Sequence, residues 1–259
     1  MTLVRAKKHL GQHFLTDRNI ASKIVECLRP DAQYSQVLEV GPGMGILSDF
    51  LLQKTELTVS LIDIDAESHQ YLQKKYPHLG ERLINADFLE MDFGAFFTGP
   101  MAVIGNFPYN ISSQILFKVL DNRQQVTEVV GMFQKEVAER CTARAGSKDY
   151  GILSVFLQAY YKVEYLFTVK PGVFNPPPKV LSAVIRLTRN ETAHLNCDEK
   201  LFWQVVKAGF NQRRKTLRNA LSVLINKEKM TGETTLDLRA ERLSVEDFVS
   251  LTNKIAAHR

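Results

Sequence analysis

Cysteine is scarce in this chain: three residues, Cys27, Cys141 and Cys197, odd in number and far apart among 259. They make neither a disulfide framework nor a zinc site, which fits a reducing cytoplasm. Long apolar runs are missing as well, and none approaches the length of a membrane span. The N-terminus is basic, with Arg5, Lys7 and Lys8, but no apolar stretch follows, so it does not read as a secretory signal. The six histidines show no metal-ligand spacing, and no metal is expected. Internal repeats and low-complexity tracts are absent. Asn110-Ile111-Ser112 and Asn190-Glu191-Thr192 match the glycosylation triplet, which carries no weight without a secretory signal.

What is there describes an ordinary globular protein, with 45% hydrophobic and 24% charged residues. The length suits one large domain, or one domain and a small one. The net charge is +5 and unevenly spread. Residues 1–188 carry 20 Lys and Arg against 19 Asp and Glu, whereas residues 189–259 carry 13 against 9. A basic C-terminal piece suits a polyanionic partner, although a mild excess also occurs on solvated surfaces.

Residues 101–105 read as a buried strand and 111–120 as a helix, with Asn106-Phe107-Pro108-Tyr109 between them. A polar side chain there sits where α/β sheets bind ligands. Asn106 offers a carbonyl acceptor. Pro108 forces Phe107 toward an extended conformation, so the Phe107 carbonyl should project from the loop. Tyr109 offers a flat face for stacking. Two acceptors and a platform suit a flipped-out base with an exocyclic amino group. The same four residues would also make a plain strand-to-helix turn.

The basic stretch 5–15 ends in Gly11-Gln12-His13-Phe14-Leu15, and Thr16 or Asp17 could then cap a helix that Pro30 ends. Residues 36–40 form a strand that runs into Gly41-Pro42-Gly43-Met44-Gly45, with a helix over 46–53. Glycines at such a turn let the backbone approach a ligand. The last spacing is one residue shorter than the dinucleotide fingerprint, which counts against a nicotinamide cofactor. Strand 57–62 is closed by Asp63, 22 residues after Gly41, where an acid commonly binds ribose hydroxyls. Asp63 could instead cap the helix near Ala66, and Asp65 should face the other way. Strand 83–86 is followed by Asp87, which could accept from an adenine amino group; Glu90 and Asp92 read as solvated charges.

Further strands are expected at 128–133, 160–169 and 180–187, with helices over 135–143 and 152–159. The loop 171–178 contains Phe174 and three consecutive prolines. This makes an α/β, doubly wound, mostly parallel sheet of seven strands over 1–189. After a polar linker, 190–259 reads as a small all-helical domain. In it Asn211 to Asn219 should open a strongly basic helix, and 242–257 should form the last one.

Taken together, a glycine loop after the first strand, acids after the second and third, and Asn-x-Pro-Tyr after the fourth occur in one order. That order resembles the class I S-adenosylmethionine-dependent methyltransferases acting on adenine N6. Within them the chain is similar to the small-subunit (16S-type) ribosomal RNA adenine N6,N6-dimethyltransferases over nearly its whole length. The stretches that carry this are Gly11-Gln12-His13-Phe14-Leu15, Glu39-Val40-Gly41-Pro42-Gly43, Gly105-Asn106-Phe107-Pro108-Tyr109, Gln134-Lys135-Glu136-Val137, Phe174-Asn175-Pro176-Pro177-Pro178-Lys179-Val180 and Phe210-Asn211-Gln212-Arg213-Arg214-Lys215-Thr216.

The resemblance implies S-adenosylmethionine as cofactor, held by Gln12, His13, Leu15, Gly41, Gly43, Asp63, Ile64, Asp87, Phe88 and Asn106. It implies a catalytic set of Asn106, Phe107, Pro108, Tyr109 and Phe174, with Tyr109 and Phe174 sandwiching the base. Arg213, Arg214, Lys215 and Arg218 would hold ribosomal RNA. The chain departs from the family's usual Asn at His13, Glu at Asp63 and Leu at Phe107. The implied substrate is a pair of adjacent adenosines in small-subunit RNA within a pre-30S particle, met by a cytoplasmic monomer that also serves assembly. Two alternatives share the fold: a large-subunit adenine methyltransferase of the antibiotic-resistance type, and a non-catalytic assembly factor. A DNA adenine methyltransferase fits least, because nothing resembles a sequence-reading domain.

Overall fold

The computed structural model describes residues 4–29 and 34–258. Its strands are β1 (Phe14–Leu15), β2 (Gln36–Val40), β3 (Thr58–Asp63), β4 (Leu83–Asn85), β5 (Met101–Asn106), β6 (Val126–Gln134), β7 (Tyr161–Val169), β8 (Phe174–Asn175) and β9 (Ser182–Arg189). Seven of them form one sheet in the order β4-β3-β2-β5-β6-β9-β7. β4, β3, β2, β5 and β6 run parallel, and β9 runs antiparallel to β6. The central strands are continuous apolar runs because both faces are covered: Val37, Leu38, Val103, Ile104, Val129 and Val130 are fully buried. The chain winds outward from β2 to β4 and then returns to place β5 on the other side of β2. The crevice at the carboxyl ends of β2 and β5 is therefore the switch point where such sheets bind ligands.

The helices are α1 (Arg18–Glu26), α2 (Ser48–Leu51), α3 (Ala66–Lys75), α4 (Phe93–Phe96), α5 (Ser112–Asp121), α6 (Lys135–Thr142), α7 (Ile152–Tyr160), α8 (Glu199–Asn211), α9 (Leu217–Ala220) and α10 (Val245–Ala257). Asp17, not Thr16, caps α1 by accepting the N–H groups of Asn19 and Ile20. Thr16 instead bonds the Val173 carbonyl. Pro30, expected to end that helix, lies outside the described residues. The helix expected over 46–53 shortens to α2, since the chain from Gly43 to Leu47 is still turning. The exposed Val180 and Leu181 fall outside β9, which starts at Ser182. Asp92 caps α4.

One pairing had no local signal. β1 pairs antiparallel with β8, Phe14 against Asn175 and Leu15 against Phe174. Two residues on each side, some 160 apart in sequence, carry no periodicity to read.

The chain divides into two compact units, and the division differs from a single boundary at 189. The first runs up to Ala138 and resumes with Lys162–Arg189; the second takes Glu139–Tyr161 and everything from Asn190 onward. The reason is α7, which buries Val155, Phe156, Leu157, Ala159 and Tyr160 nearly all round. Phe156 stacks on Trp203 of α8 at 3.8 Å between centroids and lies 6.1 Å from Phe202. In the same unit Ser244 and Asp247 make the capping box that starts α10. α10 starts three residues later than expected, because Ala240–Arg242 is a separate 3-10 turn.

Candidate active site

A cavity opens at the switch point and encloses about 930 Å³ of empty space, mouth included. Gly41 and Gly43 follow β2 with φ of 67° and 56°. Both are left-handed conformations that glycine adopts without strain. A Cβ on Gly41 would meet nothing closer than Pro108, at 4.0 Å. No packing inside the protein needs that bareness; it leaves the floor of the cavity low for a ligand.

Asp63 ends β3 and is 5% exposed. Its Oδ1 accepts the N–H of Asp65 at 2.9 Å and its Oδ2 the N–H of Gly43 at 3.3 Å. Each oxygen keeps a lone pair, and the carboxylate lines the cavity. Burial pushes its carboxyl up to about 6, with the Asp65 charge adding to the push and the two N–H groups and Lys7 opposing it. Asp63 is not the cap of α3; Asp65 is, accepting from Glu67 N–H. Asp65 also binds Lys7 and the amide of Gln12. Burial pulls its carboxyl up, but these donors outweigh that and hold it below the usual range. Ile64, Asp87 and Phe88 line the same wall, and Asp87 folds its own loop by accepting Leu89 N–H at 2.8 Å.

The N-terminal stretch supplies the facing wall through Gln12 and His13. Gln12 is pinned twice: its Oε1 accepts Lys7 N–H at 2.8 Å, and its Nε2 donates to Asp65. His13 Nδ1 lies 2.8 Å from the Pro176 carbonyl, which can only accept, so Nδ1 carries the proton. Leu15 is buried and lines a smaller adjoining pocket with Glu39, Gly41 and Asn106 rather than the main cavity.

Asn106 closes β5, and its Nδ2 donates to the His13 carbonyl at 2.8 Å. The carbonyl selects the amide nitrogen, so Oδ1 is turned the other way as an acceptor. Phe107 N–H donates to Met132 O at 3.2 Å, which extends the β5–β6 ladder by one residue. Among the described residues none donates to the Phe107 carbonyl or to Asn106 Oδ1. The Tyr109 hydroxyl lies 2.5 Å from Ser182 Oγ on β9, which anchors the far end of its ring. Burial raises the Tyr109 phenol further above its ordinary value, with the Ser182 contact opposing.

Phe174 is placed differently from the expected sandwich. It is 4% exposed, sits in β8 and belongs to the apolar cluster with Leu15, Ile24 and Val25, away from the cavity lining. The ring beside Tyr109 is His13, at 5.4 Å and 30° between planes. Phe174 is apolar and its β8 neighbours tie it to β1, so the core claims it.

Three residues of the site were not foreseen. Ser182 orients Tyr109 from a strand 73 residues away. Lys7 holds Asp65. Glu39, 2% exposed, accepts the Ser48 hydroxyl at 2.6 Å; burial pushes its carboxyl up to about 8, against that hydrogen bond. An acid inside an apolar strand was the available signal for Glu39.

In the helical unit the basic stretch does not begin a helix. α8 ends at Asn211, residues 212–215 turn, and α9 starts only after Thr216. Threonine favours such a cap position over a helix interior. Arg213, Arg214 and Lys215 are exposed, and no carboxylate among the described residues pairs with them. Arg213 donates to the Lys148 carbonyl. Arg218 is spent inward: its guanidinium reaches Asp237 at 2.8 Å, Met230 O at 3.2 Å and Glu233 O at 3.0 Å. It is a brace rather than an open cation.

Comparison with known proteins gives the family. A family model described as ribosomal RNA adenine dimethylase matches residues 3–257. A protein of Cytophaga hutchinsonii named ribosomal RNA small subunit methyltransferase A is 56% identical over 257 residues, covering 99% of each chain. Its counterpart from Bacteroides thetaiotaomicron is 54% identical over 98% of this chain and 96% of that one. Among solved structures, a dimethyladenosine transferase from Plasmodium falciparum superposes with a TM-score of 0.79 at 27% identity, covering 95% of this chain and 99% of that one. The 23S rRNA methyltransferase ErmE does so at 0.68 and 26%, covering 93% and 99%.

Proposed function

We propose that this chain, which belongs to the ribosomal RNA adenine dimethylase family, methylates N6 of two adjacent adenosines in the 3'-terminal hairpin of small-subunit (16S) ribosomal RNA, giving N6,N6-dimethyladenosine. The observation that carries the reading is the amide of Asn106, fixed through its Nδ2 by the His13 carbonyl in a cavity that Phe107 and Tyr109 also line. S-adenosylmethionine is the methyl donor, and when bound it supplies an electrophilic methyl on a sulfonium.

Asp63 would hold the donor's ribose hydroxyls and Asp87 its adenine amino group, with Ile64 and Phe88 against the ring. Gly41 and Gly43 would admit its close approach, and Gln12, His13 and Leu15 would enclose it together with Asn106. Asp63 is one methylene shorter than the family's usual Glu, and its two N–H donors hold that shorter side chain in place.

An adenine N6 lone pair is delocalised into its ring and is a poor nucleophile. Accepting both N6 hydrogens of the unmodified base, and the one that remains after the first transfer, at Asn106 Oδ1 and the Phe107 carbonyl would favour a pyramidal nitrogen with its lone pair aimed at the methyl. Each transfer would leave S-adenosylhomocysteine and release one proton from N6 to solvent. Alignment and charge placement then carry the rate, and no strong base is needed. Tyr109, held by Ser182, would stack on the flipped base. Arg213, Arg214 and Lys215 would take phosphates of the RNA in a pre-30S particle, met in the cytoplasm by a monomer that also serves assembly.

The test is transfer of labelled methyl from S-adenosylmethionine to unmodified small subunits and, separately, to large subunits. Label in N6,N6-dimethyladenosine of the small subunit alone is expected. Label in the large subunit would move the substrate, and binding without label would make the protein an assembly factor.

A further inference from the structure

We infer that Gly131, on the strand beside the motif, is a positioning residue for methyl transfer that acts through the ring of Phe107. The inference rests on the proposed role of the Phe107 carbonyl. Gly131 does not line the cavity. It is the register partner of Gly105 across β5 and β6. The two glycines leave a notch, and the Phe107 ring, 1% exposed, fills it and leans on Phe133 at 5.0 Å and 49°. A Cβ on Gly131 would come within 2.3 Å of the Phe107 ring and 2.5 Å of the Phe133 ring. A Cβ on Gly105 would meet the same ring at 2.8 Å and the Val40 carbonyl at 2.5 Å.

Phe107 is thus fixed on three sides: by the notch, by its N–H on Met132 O, and by the peptide to Pro108. Only its carbonyl is left to face a ligand. Anything that lifts the ring out of the notch moves that carbonyl with it, while Asp63, Asp87 and the glycine loop stay where they are. The bare Gly131 is what makes room for the Phe107 ring. The pair is one unit: the position of the acceptor depends on both members at once.

A double-mutant cycle tests this with Gly131→Ala, Phe107→Leu and the double variant. Melting temperature, S-adenosylmethionine affinity by calorimetry, and kcat and KM on unmodified small subunits are measured for each. Gly131→Ala is expected to lower kcat about ten-fold or more, as an ångström-scale misplacement does, with cofactor Kd and KM within about two-fold. Phe107→Leu alone, which leaves the notch underfilled, should cost less. The double variant should be more active than Gly131→Ala, because the smaller side chain relieves the nearer of the two ring contacts and leaves only that with Phe133. Additive losses, or a Gly131→Ala kcat equal to wild type, would overturn the inference. If Gly131→Ala does not fold, the double variant with Phe133→Leu added, which relieves both rings, must fold and match Phe107→Leu with Phe133→Leu in kcat; a lower kcat overturns it equally. Wild-type protein that fails to methylate N6 at all would sink the proposed function instead, so the two failures are told apart.

Discussion

The switch-point cavity and the 212–218 segment are both charged and functional in this reading, yet they are built in opposite ways. In the cavity each polar group is held by the protein before any ligand arrives. Asp63 takes two N–H groups, the Asn106 amide is oriented by His13 O, and the Tyr109 hydroxyl is set by Ser182. In the basic segment Arg214 and Lys215 stand in solvent on a turn, Arg213 is tied once to the Lys148 carbonyl, and Arg218 is braced by three partners. A reaction needs placement, because catalysis falls steeply with displacement. Capture of a polyanion needs charge and tolerates slack, because phosphates are many and the field is long-ranged. Substitutions should therefore fail sharply in the first region and gradually in the second.

The sharpest break is Asn106→Ala. It removes the acceptor proposed to act on the reacting nitrogen, and kcat should fall by about 10²–10³, the scale of a lost transition-state contact. The protein should still melt cooperatively and bind the cofactor. Activity within a few-fold of wild type would mean that the oriented amide is incidental.

Asp63→Ala comes next. Losing charge-assisted bonds to ribose should weaken cofactor binding by roughly 1.5–3 kcal/mol. The pH dependence sharpens the point. With its carboxyl at about 6 in the folded protein, Asp63 is ionised above that value and accepts from hydroxyls. Cofactor affinity should be level above about pH 6 and weaken as pH falls through it, while Asp63→Asn should show no such limb. Calorimetric titration across pH 5–8 checks both, given roughly a one-unit window either side of the midpoint.

A smaller and softer loss is expected from the triple Arg213→Gln, Arg214→Gln, Lys215→Gln variant. Each phosphate contact removed should flatten the salt slope of RNA binding by roughly 0.7–0.9. Cofactor affinity should not change, and activity should recover at high substrate concentration. Arg218→Gln should behave differently and lower the melting temperature with little effect on the salt slope, since it braces Asp237, Met230 O and Glu233 O. Equal salt-slope losses for Arg218 and the triple variant would erase the distinction between brace and contact.

The least disruptive change is Glu39→Gln. The folded carboxyl at about 8 lies above the ordinary value of 4.5, so the folded protein binds more protons than the unfolded chain between those limits. Stability from this group is therefore full below the lower limit and is lost as pH rises toward the upper one, by about 1.4 kcal/mol per pH unit at most. Glu39→Gln lacks that slope, so its melting temperature should gain on wild type from acid to mildly alkaline pH. Parallel curves would show that Glu39 stays ionised in the fold.

Much of the fold was legible because each parallel strand is an apolar run that ends on a residue with chemistry. Val40 gives way to Gly41, Ile62 to Asp63, and Gly105 to Asn106. Periodicity places such ends within a residue or two. What it could not place depends on contacts between distant segments. Whether Asp63 or Asp65 caps α3 is open in sequence, since either can accept an N–H two residues on; the fold decides by burying Asp63 against the glycine loop. Phe174 sits in a motif stretch, but a motif says nothing about ring direction, and the β1–β8 pairing turns it into the core. Arg218 looks like one more cation in a basic run until Asp237 and two carbonyls are found around it. The segment Glu139–Tyr161 reads as part of the sheet region, yet the all-round apolar surface of α7 finds its partners on Phe202 and Trp203.

The two acceptors at Asn106 and Phe107 are proposed to act together on adenine N6 in small-subunit RNA. Mass spectrometry of nucleosides from small subunits of a strain lacking this protein, with complementation, tests that most directly. N6,N6-dimethyladenosine should be missing from the deletion strain, restored by the wild-type protein, and not restored by Asn106→Ala expressed to the same level. Dimethyladenosine unchanged in the deletion strain, or fully restored by Asn106→Ala, would contradict it.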